Sequence, residues 1–316
     1  MKKTNSLKLI LGLSLSMTLG TFMGTLITEN TEHHLAVASG PAIEPTSSPD
    51  ASLAPSESAA ASPSTTPTST PDPDTLPGWH GSGKKKFYVL KDGTKATGYK
   101  KIKGAYYYFK KSGYAVTSSW RNVKIYGKKY RIYFTKSGKR KMDLSKLLDK
   151  KTGVTYKIET NLTTNSVMIY AKWKTKKYMI PVRRMRCSVG KPGHETITGT
   201  YRLSKTGSRW HVLRYGCYGQ YCSRISGPYL FHSVVYKNYG NRYSLDLKEY
   251  NKLGKSASHG CIRLQVEDAK WIYNHTGLST ARLYRGKKEK LPIPYPAKKK
   301  AGKTKSGKYY DPTDVD

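Results

Sequence analysis

The stretch "SASHGCIRL", residues 256–264, places His259 two positions before Cys261 in a chain that contains four cysteines. A cysteine becomes a useful nucleophile when a neighbouring base accepts its proton, or when positive charge and backbone dipoles favour the thiolate. In an extended strand His259 and Cys261 would point to the same side, whereas a tight turn at Gly260 would separate them. The stretch therefore fits a nucleophile, a zinc ligand, half of a disulfide or a buried core cysteine.

A second histidine lies upstream, in "GPYLFHSVVY", residues 227–236, which predicts a buried strand carrying His232. A buried imidazole needs an acceptor for its N–H group, and a backbone carbonyl can serve. A tight turn at Gly260 would also direct backbone N–H groups towards one point, where they could stabilise an oxyanion. His232 is therefore a second candidate base for Cys261, beside His259.

Most of the sequence around these residues is typical of short strands. Runs such as "VTYKIET", "SVMIYAKW" and "KYMIPVRRMRCSV" are rich in β-branched and aromatic residues. Short helices are predicted at "MDLSKLLDK", "LDLKEYNKL" and "VEDAKWIYNHT", the last with Glu267 and Asp268 in its first turn. The fold class predicted here is mostly β with short helices, and "SHGC" falls in a loop between two of them.

The chain is strongly basic, with 57 Lys and Arg against 20 Asp and Glu in 316 residues, a formal net charge of +37. Such a charge indicates a polyanionic surrounding. An apolar run over residues 9–27, preceded by lysines, has the arrangement of an export signal. We expect residues 1–38 to be a cleaved signal peptide or a membrane anchor. The remainder would lie outside the cell, which argues against nucleic acid as a partner.

Two segments of different composition follow. Residues 39–77 hold nine of the 16 prolines among Ser, Thr and Ala, and predict a disordered linker. Residues 78–141 contain three similar units of about 20 residues, each with an aromatic run and a Gly-containing turn. This pattern predicts one β-hairpin per unit, stabilised by stacking on its neighbours.

With their "GWH", "GYK" and "AYYYF" segments, the units resemble the cell-wall-binding repeats of choline-binding and glucan-binding proteins of Gram-positive bacteria. Tyr99 stands where that pattern has Trp, and lysines fill many spacer positions, which argues against an aromatic choline cage. The resemblance implies a wall-associated protein of a Gram-positive bacterium, with anionic wall polymers as partners. The alternative is that these aromatics only pack one hairpin on the next.

The stretch "SHGCIRL", together with "FHS", "TITGTYRL" and "YKIETNLTTNSVMIYAK", resembles the catalytic domain of bacterial L,D-transpeptidases of the YkuD type, over residues 152–286. The resemblance implies that Cys261 is the nucleophile and His232 the base, with Ser233 orienting His232 through its backbone oxygen. His259 and Gly260 would shape the oxyanion hole. Arg263 would hold the loop or a substrate carboxylate.

The same resemblance implies an activity on peptidoglycan stem peptides, without metal or organic cofactor. Cys261 would attack the bond before the terminal D-alanine of a tetrapeptide stem, and a neighbouring stem's amine would resolve the thioester into a 3→3 cross-link. An L,D-carboxypeptidase, with water as acceptor, and a non-catalytic wall-binding protein are the alternatives. The 25 residues between His232 and Ser258 exceed the family's usual spacing, which predicts an insertion beside the cleft at residues 236–257.

Several further expectations concern residues outside these motifs. Cys217 and Cys222 could form a disulfide outside the cell, which would leave Cys187 unpaired and buried. A zinc site is a minor alternative, because no pair of candidate ligands has the usual spacing. His194 and His211 are interpreted as surface or lid residues.

Two basic segments complete these expectations. The arginines of "RRMR", residues 183–186, are interpreted as a solvated strand face, with contact to an anionic substrate or polymer as the alternative. The Lys-rich tail, residues 287–316, is predicted to be disordered.

Overall fold

A computed structural model describes residues 72–315 of the chain. The predicted export segment and nearly all of the predicted linker lie outside the described residues. Within residues 72–315, no helix is both long and apolar enough to cross a membrane. The described part is mostly β, with few short helices, as the sequence predicts.

Three antiparallel hairpins form the first part of the described chain, one per sequence unit. They pair β1 (Gly78–His80) with β2 (Phe87–Val89), β3 (Gly98–Ile102) with β4 (Ala105–Phe109), and β5 (Ser119–Ile125) with β6 (Lys128–Phe134). The Gly-containing turns follow the second strand of each pair.

Neighbouring hairpins are joined by backbone hydrogen bonds and aromatic packing. The N–H of Ala115 donates to the oxygen of Lys86 at 2.7 Å, and the N–H of Arg140 donates to the oxygen of Tyr106 at 2.7 Å. The ring of Trp79 in the first hairpin lies 4.7 Å from that of Tyr107 in the second, measured between centroids. The aromatic repeats therefore build a continuous stack, because a single hairpin cannot bury its apolar face alone.

The larger of two main sheets in the second part of the chain has five strands in the order β10-β17-β7-β8-β9. Only β17 and β7 pair in parallel. Its strands are β7 (Thr155–Asn161), β8 (Ser166–Lys172), β9 (Ile180–Arg186), β10 (Gly199–Arg202) and β17 (Ser279–Tyr284).

The smaller sheet has the order β11-β14-β15-β16, and its β15 and β16 are parallel neighbours. A separate hairpin of β12 and β13, called the wall hairpin below, lies between β11 and β14 in the chain. These strands are β11 (Ser204–Lys205), β12 (Trp210–Val212), β13 (Tyr218–Gln220), β14 (Ser223–Ser226), β15 (Tyr229–Ser233) and β16 (Ile262–Leu264).

Three short helices occupy the positions that the sequence predicts: α1 (Ser145–Leu148), α2 (Leu247–Asn251) and α3 (Val266–Asn274). One cluster of buried apolar side chains contains residues of both sheets and of all three helices. Tyr236 and Tyr250, from the predicted insertion, are fully buried in it. The predicted insertion is therefore an integral part of the core.

The hairpin stack and the second part of the chain share a core. Ile132 and Phe134 of β6 pack in one buried cluster with Met168 and Tyr170 of β8. The N–H of Arg131 also donates to the backbone oxygen of Met179 at 2.9 Å. The last repeat is thus attached directly to the larger sheet.

The prediction of a disordered tail is wrong for residues 287–315. They include the two-stranded pair β18 (Gly302–Lys303) and β19 (Tyr309–Tyr310). Asp311 accepts the N–H of Val266 at 2.9 Å, which supplies an acceptor at the start of α3 from outside the helix. The lysines dominate the tail's composition, but its few aromatic and acidic side chains decide its structure.

The interpretation of residues 183–186 as a solvated face is also wrong. Arg183 donates to Asp268 of α3 at 2.6 Å, in a largely buried pair. Arg184 and Arg186 donate to the backbone oxygens of Ile293 and Pro296. These guanidinium groups therefore attach the tail to β9.

Candidate active site

Cys261, His232, His259 and Arg263 line one cavity of about 370 Å³. The parallel pairing of β15 with β16 brings the two sequence motifs together, since its register sets Phe231 opposite Ile262 and His232 opposite Arg263. The wall hairpin contributes the opposite lining, including His211 and Tyr215. The cavity thus combines a thiol, an imidazole and several cationic groups.

Cys261 lies immediately before β16 and is half-buried. Its Sγ lies 3.6 Å from the backbone oxygen of Pro228. Burial raises the pKa of this thiol, and the N–H of Leu230 and the charge of Arg263 partly oppose that effect. The resting group is therefore a thiol at neutral pH, and it needs a base to become nucleophilic.

His232 is 2% exposed and lies on β15. Its Nδ1 lies 2.6 Å from the backbone oxygen of Ser233, the contact that the resemblance implies. Because a carbonyl oxygen only accepts, Nδ1 carries the hydrogen and Nε2 keeps its lone pair. Burial, reinforced by the nearby Arg263, lowers the pKa of His232 from 6.5 to about 3. The ring is thus neutral at rest and free to accept a proton at Nε2.

The turn before Cys261 is held by side-chain hydrogen bonds. Ser258 Oγ donates to the backbone oxygen of Cys261 at 2.6 Å and accepts the N–H of Gly260 at 3.1 Å. Gly260 has φ +111°, and a Cβ there would lie 2.7 Å from Cε1 of Tyr229. Its amide is engaged inside the turn, so Gly260 supplies backbone shape rather than a free donor.

Thr196 is a positioning residue that the sequence analysis did not single out, although it lies in the "TITGTYRL" segment. It is buried, and its Oγ1 donates to the backbone oxygen of Gly260 at 2.8 Å. Oγ1 of Thr196 also accepts the N–H of Gly190 at 2.9 Å. Thr196 therefore ties the turn to the segment after β9.

His259 lies at the rim of the cavity and is exposed. Its ring contacts those of His194 at 4.7 Å and Tyr215 at 5.0 Å between centroids. Partial desolvation and neighbouring cations, Lys191 first, lower its pKa. The two histidines that the sequence left as surface or lid residues, His194 and His211, both line the cavity.

Arg263 forms an ion pair with Glu249 of α2, and Glu249 also pairs with Lys252 at 2.6 Å. Arg263 is expected either to hold the loop or to bind a substrate carboxylate. The geometry favours the first role, because the guanidinium is already paired with the carboxylate of Glu249. The insertion is therefore anchored, through Glu249 of α2, to the strand that follows Cys261.

All four cysteines are free thiols, so the expected disulfide between Cys217 and Cys222 is wrong. The extended strand β13 separates them. Cys187 is fully buried, as expected, and Cys217 lines the same cavity as Cys261. Residues 72–315 contain no group of three His, Cys, Asp or Glu side chains placed to hold a metal ion.

Comparison with known proteins finds a family match within this part of the chain. Residues 155–293 match the family model of the YkuD L,D-transpeptidase catalytic domain. A stretch of 49 residues is 47% identical to the protein named "Putative L,D-transpeptidase YciB" of Bacillus subtilis (strain 168). This match covers 16% of the chain and 24% of the relative, so the chain spans about a quarter of that curated protein.

Two solved structures show weaker likeness. An L,D-transpeptidase from Mycobacterium smegmatis is 17% identical, with 54% of this chain and 69% of that chain covered and a TM-score of 0.32. The choline binding domain of Spr1274 in Streptococcus pneumoniae is 25% identical, with 22% and 97% covered and a TM-score of 0.18. Both TM-scores are low, and we draw no conclusion from either.

Proposed function

We propose, on the premise that residues 155–293 are a YkuD L,D-transpeptidase catalytic domain, that the chain forms 3→3 cross-links in peptidoglycan through a thioester on Cys261. The observation that carries the proposal is the placement of a thiol and a neutral imidazole in one cavity, with Nδ1 of His232 held at 2.6 Å by the oxygen of Ser233.

The first step is acylation of the enzyme. Nε2 of His232 accepts the proton of the Cys261 thiol as the sulfur attacks the carbonyl carbon preceding the terminal D-alanine. The carbon–nitrogen bond breaks, and the imidazolium returns the proton to the departing amine. Arg263 provides positive charge near the developing thiolate. The products are free D-alanine and a tripeptide thioester.

The second step transfers the acyl group. The side-chain amine of a third residue in a neighbouring stem attacks the thioester carbon and gives its proton to His232. The carbon–sulfur bond breaks, and the sulfur recovers the proton. Water in place of the amine would give a carboxypeptidase. Which acceptor reacts depends on the exclusion of water from the cleft, which the wall hairpin lines.

The hairpin stack would hold the enzyme against anionic wall polymers outside the cell. Support comes from a basic aromatic surface beside the last repeat, where the rings of Trp120 and Trp173 lie 5.8 Å apart. The guanidinium of Arg131 lies over both rings at 5.4 and 5.7 Å, and Lys151 and Lys174 lie over Trp173. Aromatic faces suit sugar rings, and the cations suit phosphate groups.

The decisive experiment follows protein mass and products with tetrapeptide muropeptides. Wild type and Cys217→Ser, a matched control at the other cavity thiol, should gain the mass of a tripeptide acyl group and release one D-alanine for each acylation. Cys261→Ala should gain nothing. Dimers with 3→3 links support the proposal, whereas tripeptide without dimers indicates a carboxypeptidase. If no adduct forms but the protein is retained on purified walls, the chain is a wall-binding protein without this activity.

Wall attachment is tested separately with purified walls before and after chemical removal of their phosphate polymers. Lys150 belongs to the same surface, where it lines one pocket with Lys151, Trp173 and Lys174. Replacing Lys150, Lys151 and Lys174 together by Ala should weaken retention more than a tail control that loses the same three charges, at Lys303, Lys305 and Lys308. Equal losses would show that only net charge matters. Fractionation of cells carrying the full chain tests the extracellular location.

A further inference from the structure

The carboxylate of Asp314 is buried in the tail, beyond the residues that match the family. Its side chain is 0% exposed. Oδ1 accepts from Nη2 of Arg209 at 2.6 Å and Oδ2 accepts from Nε2 of Gln220 at 2.8 Å. A buried charge is costly unless it is paired and hydrogen-bonded, so this arrangement fixes both partners closely.

Those partners are the two ends of the wall hairpin. Arg209 immediately precedes β12, and Gln220 is the last residue of β13. Nε of Arg209 donates to Oε1 of Gln220 at 2.8 Å, and the N–H of Tyr221 donates to the oxygen of Arg209 at 2.8 Å. Asp314 therefore closes the base of the hairpin whose other end lines the catalytic cavity.

Gln220 is also connected to His232 through hydrogen bonds. Its backbone N–H donates to Oγ of Ser233 at 2.8 Å, and that hydroxyl donates to the oxygen of Val234 at 2.8 Å. The backbone oxygen of Ser233 in turn accepts Nδ1–H of His232. A chain of hydrogen bonds thus runs from the tail carboxylate through Gln220 to the segment that sets the tautomer and orientation of His232.

We propose that Asp314 is a positioning residue for the active site, fixing the base of the wall hairpin and, through Gln220 and Ser233, the orientation of His232. It touches neither the substrate nor the reacting atoms. The proposal rests on the proposed role of His232 as the base for Cys261. It extends the functional domain to a part of the chain that the family match does not include.

Alkylation of Cys261 by iodoacetamide tests this role without any peptide substrate. The rate is measured across pH by mass spectrometry on the full chain, in a Cys217→Ser background so that one cavity thiol reacts. Asp314→Asn keeps the size of the side chain but removes the charge and replaces an acceptor by a donor. We expect about a tenfold slower reaction at pH 7 and an upward shift of the pH midpoint, because His232 accepts the thiol proton less readily when its ring is loosely held.

Two further variants separate positioning from stability. Arg209→Gln breaks the same pair from its more exposed side and should reproduce the effect. Glu289→Gln, an equivalent change in an exposed ion pair with Lys128, should leave the pH profile unchanged. A lower melting temperature for Asp314→Asn with an unchanged alkylation profile would overturn the proposal, because the contact would then be only structural.

A double-mutant cycle tests the route. If Asp314 acts through Ser233, Asp314→Asn should slow alkylation much less in a Ser233→Ala background than in wild type. Full additivity of the two effects would contradict the proposed chain. Failure of the muropeptide assay with normal wild-type alkylation would count against the proposed function alone, since alkylation needs no stem peptide.

Discussion

Replacing Gly260 by Ala should damage the active site more than it damages the fold. Gly260 has φ +111°, and an added Cβ would lie 2.7 Å from Cε1 of Tyr229. A non-glycine residue in such a backbone conformation costs on the order of 1–3 kcal/mol. The turn can relieve this strain only by moving, and it carries Cys261 as its next residue.

The expected functional loss is larger than the strain alone suggests. A displacement of about 1 Å at a reacting group can cost on the order of 100-fold in rate. We therefore expect Gly260→Ala to slow thioester formation by about 10- to 100-fold, while the protein remains folded by circular dichroism. Adding Tyr229→Ala removes the close contact but not the backbone strain, so it should restore part of the rate.

The assay is the initial rate of acyl-enzyme formation with a tetrapeptide muropeptide, measured by protein mass. Gly277→Ala is the matched control, since an added Cβ there meets nothing within 4 Å and its φ is not in the left-handed region. This control should react within about twofold of wild type, as expected for a surface change. A Gly260→Ala variant that acylates as fast as the Gly277→Ala control would refute the assignment of strain to this turn.

Three further outcomes follow from buried polar groups. Because the pKa of His232 is lowered in the folded protein, the unfolded chain binds this proton more tightly. The free energy of unfolding should therefore fall as pH decreases from 6.5 to about 3. His232→Gln should flatten this pH dependence, measured by urea unfolding. Burial raises the pKa of Glu249, but attraction to Lys252 and Arg263 outweighs that effect and lowers it. The contribution of Glu249 to the free energy of unfolding should therefore disappear as pH falls below about 4. Glu249→Gln should not show this loss of stability in acid. Asp311→Ala removes the acceptor at the start of α3 and should lower the free energy of unfolding by about 1–2 kcal/mol, whereas an unchanged urea midpoint would contradict this capping role.

Sequence patterns predicted the elements that depend on local periodicity. The three hairpins, the short helices and the β-rich character follow from aromatic runs, Gly-containing turns and capping residues, which act over a few neighbouring positions. The tail was misjudged because its lysines dominate its composition. Asp311 and Asp314 find their partners far away in the chain, at Val266 and Arg209, and no local pattern encodes such pairs.

The candidate site was also only partly predictable. Cys261 and His232 stand out by their chemistry, because the chain has only four cysteines and eight histidines. Thr196 does not, since a threonine in a strand-like segment is ordinary until its hydroxyl is seen to accept from Gly190 and donate to Gly260. Residues that position others by hydrogen bonds to the backbone have no sequence signature of their own.

The length of the segment between His232 and Cys261 illustrates why spacing along the chain is a weak guide to partnership. The two residues line one cavity because β15 and β16 pair in parallel, and that register sets Phe231 opposite Ile262. Two parallel neighbouring strands must be joined by a crossover connection, and the length of this connection can vary as long as it packs against the rest of the domain. Here the crossover buries Tyr236 and Tyr250 and is pinned by Glu249 to Arg263, two residues beyond the nucleophile. The additional residues therefore leave Cys261 and His232 in one cavity and extend the core beside it.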